Sequence, residues 1–402
     1  MRKNLEGNKL TLYLEGRIDT NNAPEVEKEL LEAVAEAQDA EPVLDAEGLE
    51  YISSAGLRGL MKLRKQTGKV MSIRNVSSDV YEIFQTTGFT DLFDVQKRLR
   101  VISVEGCEKI GEGGNGKVFR LDEDKIVKVY KPWMQMDAIE RERSFARTAF
   151  INGIPSVIAY DTVKVPQPEG ECLGIVFEML DSDTLGHAMA KNPEKLPEFV
   201  DRYVELARSL HTTHVPEGSF TKIQDVAHGY ADNLGQWCSR EEIELLHGIV
   251  DSIPEADTVV HNDLHPGNIM IQNGELILID MPAVTMGPPV CDLMTIFRDM
   301  ISAPKRSPEH VVHSIGMPAD LILKAGNLFF MKYTGITDPG ELEAFYKKLG
   351  LLYSVDVVLF TGSGNKTAME RADQIMNNLL RPIVIPNEQT IKYLFRTLVE
   401  MK

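Results

Sequence analysis

The segment His261-Asn262-Asp263-Leu264-His265-Pro266-Gly267-Asn268-Ile269-Met270, with Glu275-Leu276-Ile277-Leu278-Ile279-Asp280 after it, constrains this chain more than any other. An Asp, an Asn five residues later and a second Asp closing an apolar run supply one base and two oxygen donors. Magnesium prefers oxygen ligands and keeps several waters, so two such side chains plus nucleotide phosphates suffice for it. His261 and His265 also show the i, i+4 spacing of a zinc-binding helix. The glutamate of an HExxH motif is absent, however, and Pro266-Gly267 ends any helix at that point. The alternative, in which polar side chains only tie a loop together, is stronger for the two histidines than for Asp263, Asn268 and Asp280.

A second constraint lies upstream. Ile110 to Val118 carries a GxGxxGxV pattern through Gly111, Gly113, Gly116 and Val118. Glycines let backbone N–H groups approach phosphates closely, although the same spacing occurs in ordinary hairpins and in dinucleotide folds. Ile126-Val127-Lys128-Val129-Tyr130 follows as a strand, and a lysine among alternating apolar residues is costly unless paired or bound to an anion. Lys128 is therefore placed to reach phosphates under the loop. The helical segment from Ala138 to Ala146 offers a carboxylate to hold that lysine, with Glu142 as first choice and Glu140 as second. Either glutamate taken alone also reads as a solvated surface residue.

The 402 residues carry 43 basic and 60 acidic side chains, a net charge of −17, which suits two or three domains. Such acidity argues against nucleic acid or an anionic leaflet as partner, because phosphate binding needs clustered Lys and Arg. No apolar run approaches the roughly twenty residues that span a bilayer. The start, MRKNLEGNKL, lacks a signal-peptide core. The dispersed cysteines Cys107, Cys172, Cys238 and Cys291 form neither a metal clip nor a disulfide framework and read as reduced thiols. A cytoplasmic protein is expected.

Along the first hundred residues, strand and helix patterns alternate. Leu10, Leu12 and Leu14 have the period of a half-buried strand, and Pro24 opens a helix with Val26, Leu30 and Val34 on one face and Asn22 as its cap. Pro42 to Asp45 predicts a strand, Leu57, Leu60 and Met61 a helix, Val70 to Ile73 a strand, and Val80, Ile83 and Phe84 a helix ended by Gly88. Asp45 to Leu57 is expected to connect strand to helix, with Ser53 and Ser54 as helix caps. No linker composition marks a boundary, which the motifs place near Gly106. The expected fold class is α/β and α+β: a small α/β domain over 1–106, then a bilobal domain over 107–402. Its β-rich lobe covers about 107–180 and its helical lobe about 181–402.

These residues carry two resemblances. From Glu108 to about Phe297 the chain resembles the aminoglycoside phosphotransferase and choline kinase branch of the protein kinase-like fold, whose loop reads HGDLHxxN. The Ile279-Asp280-Met281 segment and Gly287-Pro288-Pro289-Val290-Cys291-Asp292-Leu293 are similar to that family's IDF…GxPxxDL. The resemblance implies ATP and Mg2+ as cofactors and Asp263 as catalytic base. It implies Asn268 and Asp280 as metal ligands, Lys128 on the α and β phosphates, and Phe177-Glu178-Met179-Leu180 as adenine hinge. Asp292 is then structural, and the Gly153-Ile154-Pro155 element favours Glu142 over Glu140. Asn262 stands where the family usually has glycine, and Met281-Pro282 where it has an aromatic.

Residues 1–105 resemble the STAS domain of anti-sigma factor antagonists, through Glu15 to Thr20, Asp45 to Leu57 and Val80 to Phe89. The regulatory phosphoserine of that family falls on Ser54, and Ser53 replaces the aspartate that often precedes it. The combination implies a phosphotransferase acting on a hydroxyl of a small molecule or a protein serine, governed by a STAS domain. Asp225, Asp232 and Asp299 are available to face a cationic acceptor. The alternative is a binding module for an anti-sigma factor or sensor protein, with a nucleotide-sensing pseudokinase attached.

Overall fold

Alternation of buried Leu10, Leu12 and Leu14 with more exposed neighbours makes Lys9–Ile18 a strand with one face on a core. The computed structural model describes residues 2–37, 40–68, 71–168, 170–180 and 182–398. The chain divides into two units, Met1–Ile102 and Ser103–Lys402, where the motifs placed a boundary near Gly106. In the first unit, in chain order, are β1 (Lys3–Glu6), β2 (Lys9–Ile18), α1 (Ala23–Glu36), β3 (Glu41–Ile52), α2 (Ser54–Thr67), β4 (Ser72–Val76), α3 (Ser78–Thr86) and β5 (Asp94–Lys97). The sheet runs in the order β1 to β5, with β1 antiparallel to β2 and the other neighbours parallel.

Some expectations are corrected. β3 continues to Ile52, so Asp45–Ile52 is strand rather than connection; Ala46, Leu49 and Ile52 are buried along it. α1 buries Ala23, Leu30 and Ala33, while Val26 and Val34 are only partly buried. Asn22 does not cap α1: its Oδ1 accepts from the Asp19 N–H at 2.9 Å and its Nδ2 donates to the Arg17 carbonyl at 2.8 Å. Val70, expected to open β4, lies outside the described residues. β1 and β5 are short and mostly exposed edge strands with no alternating apolar signal.

Within the second unit come β6 (Lys109–Glu112), β7 (Gly116–Arg120), β8 (Lys125–Tyr130), α4 (Met136–Ile151), β9 (Ala159–Gln167) and β10 (Gly170–Glu178). These strands form an antiparallel array ordered β9-β10-β8-β7-β6. A helical lobe follows, interrupted by a hairpin of Ile269–Gln272 and Glu275–Leu278. Asn273 and Gly274 turn it with φ of 51° and 85°, the left-handed pair that two-residue hairpins require. The helix Val290–Phe297 widens into a π-helical turn over Arg298–Ser302. Tyr203, Phe329 and Phe330 are fully buried in this lobe, each contributing about 1.5–3 kcal/mol by burial. No helix among the described residues is long and apolar enough to cross a membrane.

Candidate active site

Between β6 and β7 the Gly113 N–H donates to the Gly116 carbonyl at 2.9 Å, closing the glycine-rich turn. A Cβ on Gly116 would fall 2.1 Å from the Val129 carbonyl oxygen, so β7 approaches β8 this closely only without a side chain. A Cβ on Gly113 or Gly114 would meet nothing within 4 Å, and Gly111 would make ordinary contact with Val118. The tip is thus open above the sheet. Gly116→Ala is expected to destabilise the protein by about 1–3 kcal/mol, because the strand itself must shift, and urea denaturation reads this directly.

Under that turn Lys128 Nζ donates to Glu142 Oε1 at 2.7 Å and to Asp280 Oδ1 at 2.8 Å. Glu142 is 3% exposed, which makes this a desolvated pair rather than a surface one. Burial disfavours the charged ammonium, but Asp280 and Glu142 outweigh it and hold the Lys128 pKa above its ordinary value. Glu140 instead pairs with Arg143 at 2.7 Å on the same helix. Of the two glutamates, Glu142 is therefore the one brought to the lysine.

The loop after Val260 places Asp263 against Asn268, whose Nδ2 donates to Asp263 Oδ2 at 2.9 Å and to the Asp263 carbonyl at 3.0 Å. The other carboxylate oxygen, Oδ1, accepts from Arg298 at 2.6 Å. Arg298 also holds Asp299 through Nε and a terminal nitrogen, at 2.7 and 2.6 Å. Burial pushes the Asp263 carboxyl up, yet His265, Arg298 and His261 overcome it and keep it below its ordinary value. Asn268 Oδ1 and Asp280 Oδ2 accept no hydrogen bond from the described residues, so two oxygen donors remain for a hard cation.

Asp292, fully buried, ties this loop down. It accepts from the Asn262 N–H at 2.6 Å, the His261 N–H at 2.9 Å and His211 Nε2 at 3.0 Å. A carboxylate only accepts, so His211 donates from Nε2, and its Nδ1 lies 2.7 Å from the Tyr333 hydroxyl. Asn262 adopts φ of 60°, the left-handed region where glycine is most at ease and asparagine next best. Its amide donates to the Ala283 carbonyl at 2.7 Å and Thr285 Oγ1 at 2.8 Å. The residue in the usual glycine position thus keeps that backbone shape and adds two anchors. Asp280 has φ of 60° as well, stored strain at the end of the hairpin.

Other expected residues fall variously. Phe177 and Leu180 are buried where β10 leaves the sheet, and the Met179 N–H donates to the Asp124 carbonyl at 2.8 Å. The Glu178 carboxylate accepts from the Ile158 N–H at 2.7 Å, which ties the end of β10 to the neighbouring segment. Asp232 pairs with His247 at 3.1 Å, Asp225 is exposed, and Asp299 is taken by Arg298. His265 starts no α-helix, its Nδ1 accepts from the Gly267 N–H at 3.1 Å, and the described residues contain no metal-competent group of three His, Cys, Asp or Glu. In the first unit Ser53 caps α2 by accepting from the Gly56 N–H at 3.3 Å, leaving Ser54 exposed as the first helical residue. Arg298 is the residue of this site that the sequence does not mark. It has no motif around it in the sequence; its place at the π-helical turn emerges only in the structure.

The chain matches the phosphotransferase enzyme family over residues 106–312, and it belongs to that family. Residues 1–97 match the STAS domain described as "Mlab, STAS domain", so the first unit is a STAS domain. A Bordetella bronchiseptica protein named "Putative anti-sigma factor antagonist BtrV" is 35% identical over 89 residues, 21% of this chain and 76% of that protein. Among solved structures, the streptomycin-ATP-APH(2'')-IIa ternary complex aligns at 15% identity, 68% of this chain and 92% of that one, with a TM-score of 0.43. A choline/ethanolamine kinase family protein from Mesorhizobium loti aligns at 15% identity, 72% and 92% coverage, and a TM-score of 0.42.

Proposed function

We propose that the second unit moves the γ-phosphoryl group of ATP to a hydroxyl. The observation that carries this reading is the buried Lys128 held by both Glu142 and Asp280, with Asp263 and Asn268 paired on the adjoining loop. Lys128 neutralises the α and β phosphates, and the open glycine turn offers N–H groups above them. The hinge Phe177 to Leu180 flanks the adenine. Asn268 and Asp280 would hold Mg2+, which supplies charge neutralisation on the phosphates. Asp263 orients the acceptor hydroxyl and takes its proton as the new O–P bond forms and the bond to the β-phosphate oxygen breaks, releasing ADP. Lys128→Met is expected to remove activity while Glu140→Gln leaves it unchanged; the reverse pattern in a coupled ADP assay overturns the assignment.

For the STAS unit we propose a regulatory role, with Ser54 as phosphorylation site and an anti-sigma factor or sensor protein as partner. Ser54 is exposed at a helix N-terminus, where a phosphate meets the positive end of the helix. Intact mass and peptide mapping after incubation with magnesium and ATP test whether the second unit places it there. No phosphate on Ser54 would leave the small-molecule acceptor.

A second reading, the nucleotide-sensing pseudokinase, draws on Arg298 occupying Asp263 Oδ1. The two separate by pH. Arg298 lowers the Asp263 pKa, so Arg298→Ala raises it and moves the acid limb of the kcat profile to higher pH. A protein with no turnover in either form, yet binding ATP, is the pseudokinase.

A further inference from the structure

A cavity of about 220 Å3 opens beside Asp263 in the second unit. Two of its lining residues fix its position: Asn262 precedes Asp263 in the chain, and Arg298 donates to Asp263 Oδ1. The segment Pro282 to Thr285, just after Asp280, forms another edge. The remaining wall is largely apolar, with Phe145, Ile223, Tyr230, Met294, Leu359 and Phe395 drawn from helices far apart in sequence.

One carboxylate in that wall is unused. Asp356, on the helix Pro339–Phe360, lines the cavity, is partly buried, and makes no hydrogen bond or ion pair among the described residues. A buried carboxyl group left without a donor is costly, and burial pushes its pKa up, with Asp299 adding to the rise and the charge of Arg298 opposing it. The other carboxylates once available for a cationic acceptor are elsewhere: Asp232 on His247, Asp299 on Arg298, Asp225 outside the lining. Two guanidiniums, Arg141 and Arg298, do line it. This is not the acidic trough that a polycationic sugar would need. Its volume also lies below the roughly 300–1,000 Å3 of pockets that take drug-sized ligands.

Resting on the phosphotransferase reading above, we propose that this cavity is the acceptor pocket. The acceptor is then a small alcohol with a compact apolar body and one further N–H or O–H donor, which Asp356 receives. The reacting hydroxyl lies at the Asp263 end and the second donor at the Asp356 wall, with the apolar body between them. Burial of that body, rather than charge, drives entry.

Three probe alcohols separate the parts: 2-amino-3-phenylpropan-1-ol, its des-amino analogue 3-phenylpropan-1-ol, and ethanolamine, which lacks the apolar body. Calorimetric titration into the full chain without nucleotide is expected to show the first binding at least tenfold more tightly than either of the others. Asp356→Asn, checked for an unchanged melting curve, is expected to weaken the first at least fivefold and leave 3-phenylpropan-1-ol unchanged. Met294→Trp, which fills the cavity, is expected to abolish both. Equal binding of ethanolamine, or indifference to both substitutions, overturns the pocket assignment. Should the aromatic amino alcohol bind as expected but release no ADP with magnesium and ATP, the phosphotransferase reading fails while the pocket stands. ADP release stimulated only by alcohols that ignore Asp356 and Met294 leaves the reading intact and removes the pocket.

Discussion

Asp263→Ala is expected to lower phosphoryl transfer by about 10²–10⁴-fold, the range a positioned general base contributes. ATP affinity should stay within about twofold of the parent, because the residues proposed to hold phosphate and metal are elsewhere: Lys128, Asn268 and Asp280. The substitution also frees Arg298 from Asp263 Oδ1, but the guanidinium keeps both contacts to Asp299, so no buried charge is stranded. A loss confined to kcat therefore marks the base, since removal of uniform binding raises KM instead. Steady-state ADP release and nucleotide titration on one preparation decide it. Retention of full activity excludes Asp263 from the mechanism.

The largest stability loss is expected at Asp292→Ala, about 3–5 kcal/mol. That is the usual result of removing one member of a buried, charge-assisted network. The wild-type carboxylate accepts the backbone N–H groups of His261 and Asn262 and the Nε2–H of His211, all inside the helical lobe. Alanine leaves three donors without acceptors where water is excluded. A fall in melting temperature of roughly 10 °C follows, with the first unit's own transition unmoved if it unfolds separately. Asp292→Asn, which retains one acceptor oxygen, should lose less. A melting curve unchanged by alanine would show that Asp292 does not hold the loop.

Legibility in the sequence followed chain distance. Asp263 and Asn268 are five residues apart, and their hydrogen bond is a property of one loop; the glycine turn is equally local. The pairing of Lys128 with Glu142 spans 14 residues; the sequence favours Glu142 with Glu140 as second choice, and the orientation of the helix against the sheet brings Glu142 to the lysine. Arg298 lies 35 residues beyond Asp263, with no spacing rule to connect them. The acidic and glycine residues of the Asp45 to Ile52 stretch look like a loop in sequence, while parallel pairing with β2 makes it strand and buries Ala46, Leu49 and Ile52. The large valines of α1 suggest the wrong stripe, because Ala23 and Ala33, with small side chains, sit against the core beside Leu30.

The sequence by itself determined the two-part organisation into STAS domain and phosphotransferase, and the set of polar residues proposed to handle phosphate. These depend on contiguous motifs whose chemistry is local. Only the tertiary structure decided which carboxylate holds Lys128, that Asn262 adopts the left-handed backbone, that Arg298 reaches Asp263, and that the cavity beyond them is apolar. Each of those depends on how helices and strands distant in the chain pack, and packing is settled by the whole core rather than by any one segment.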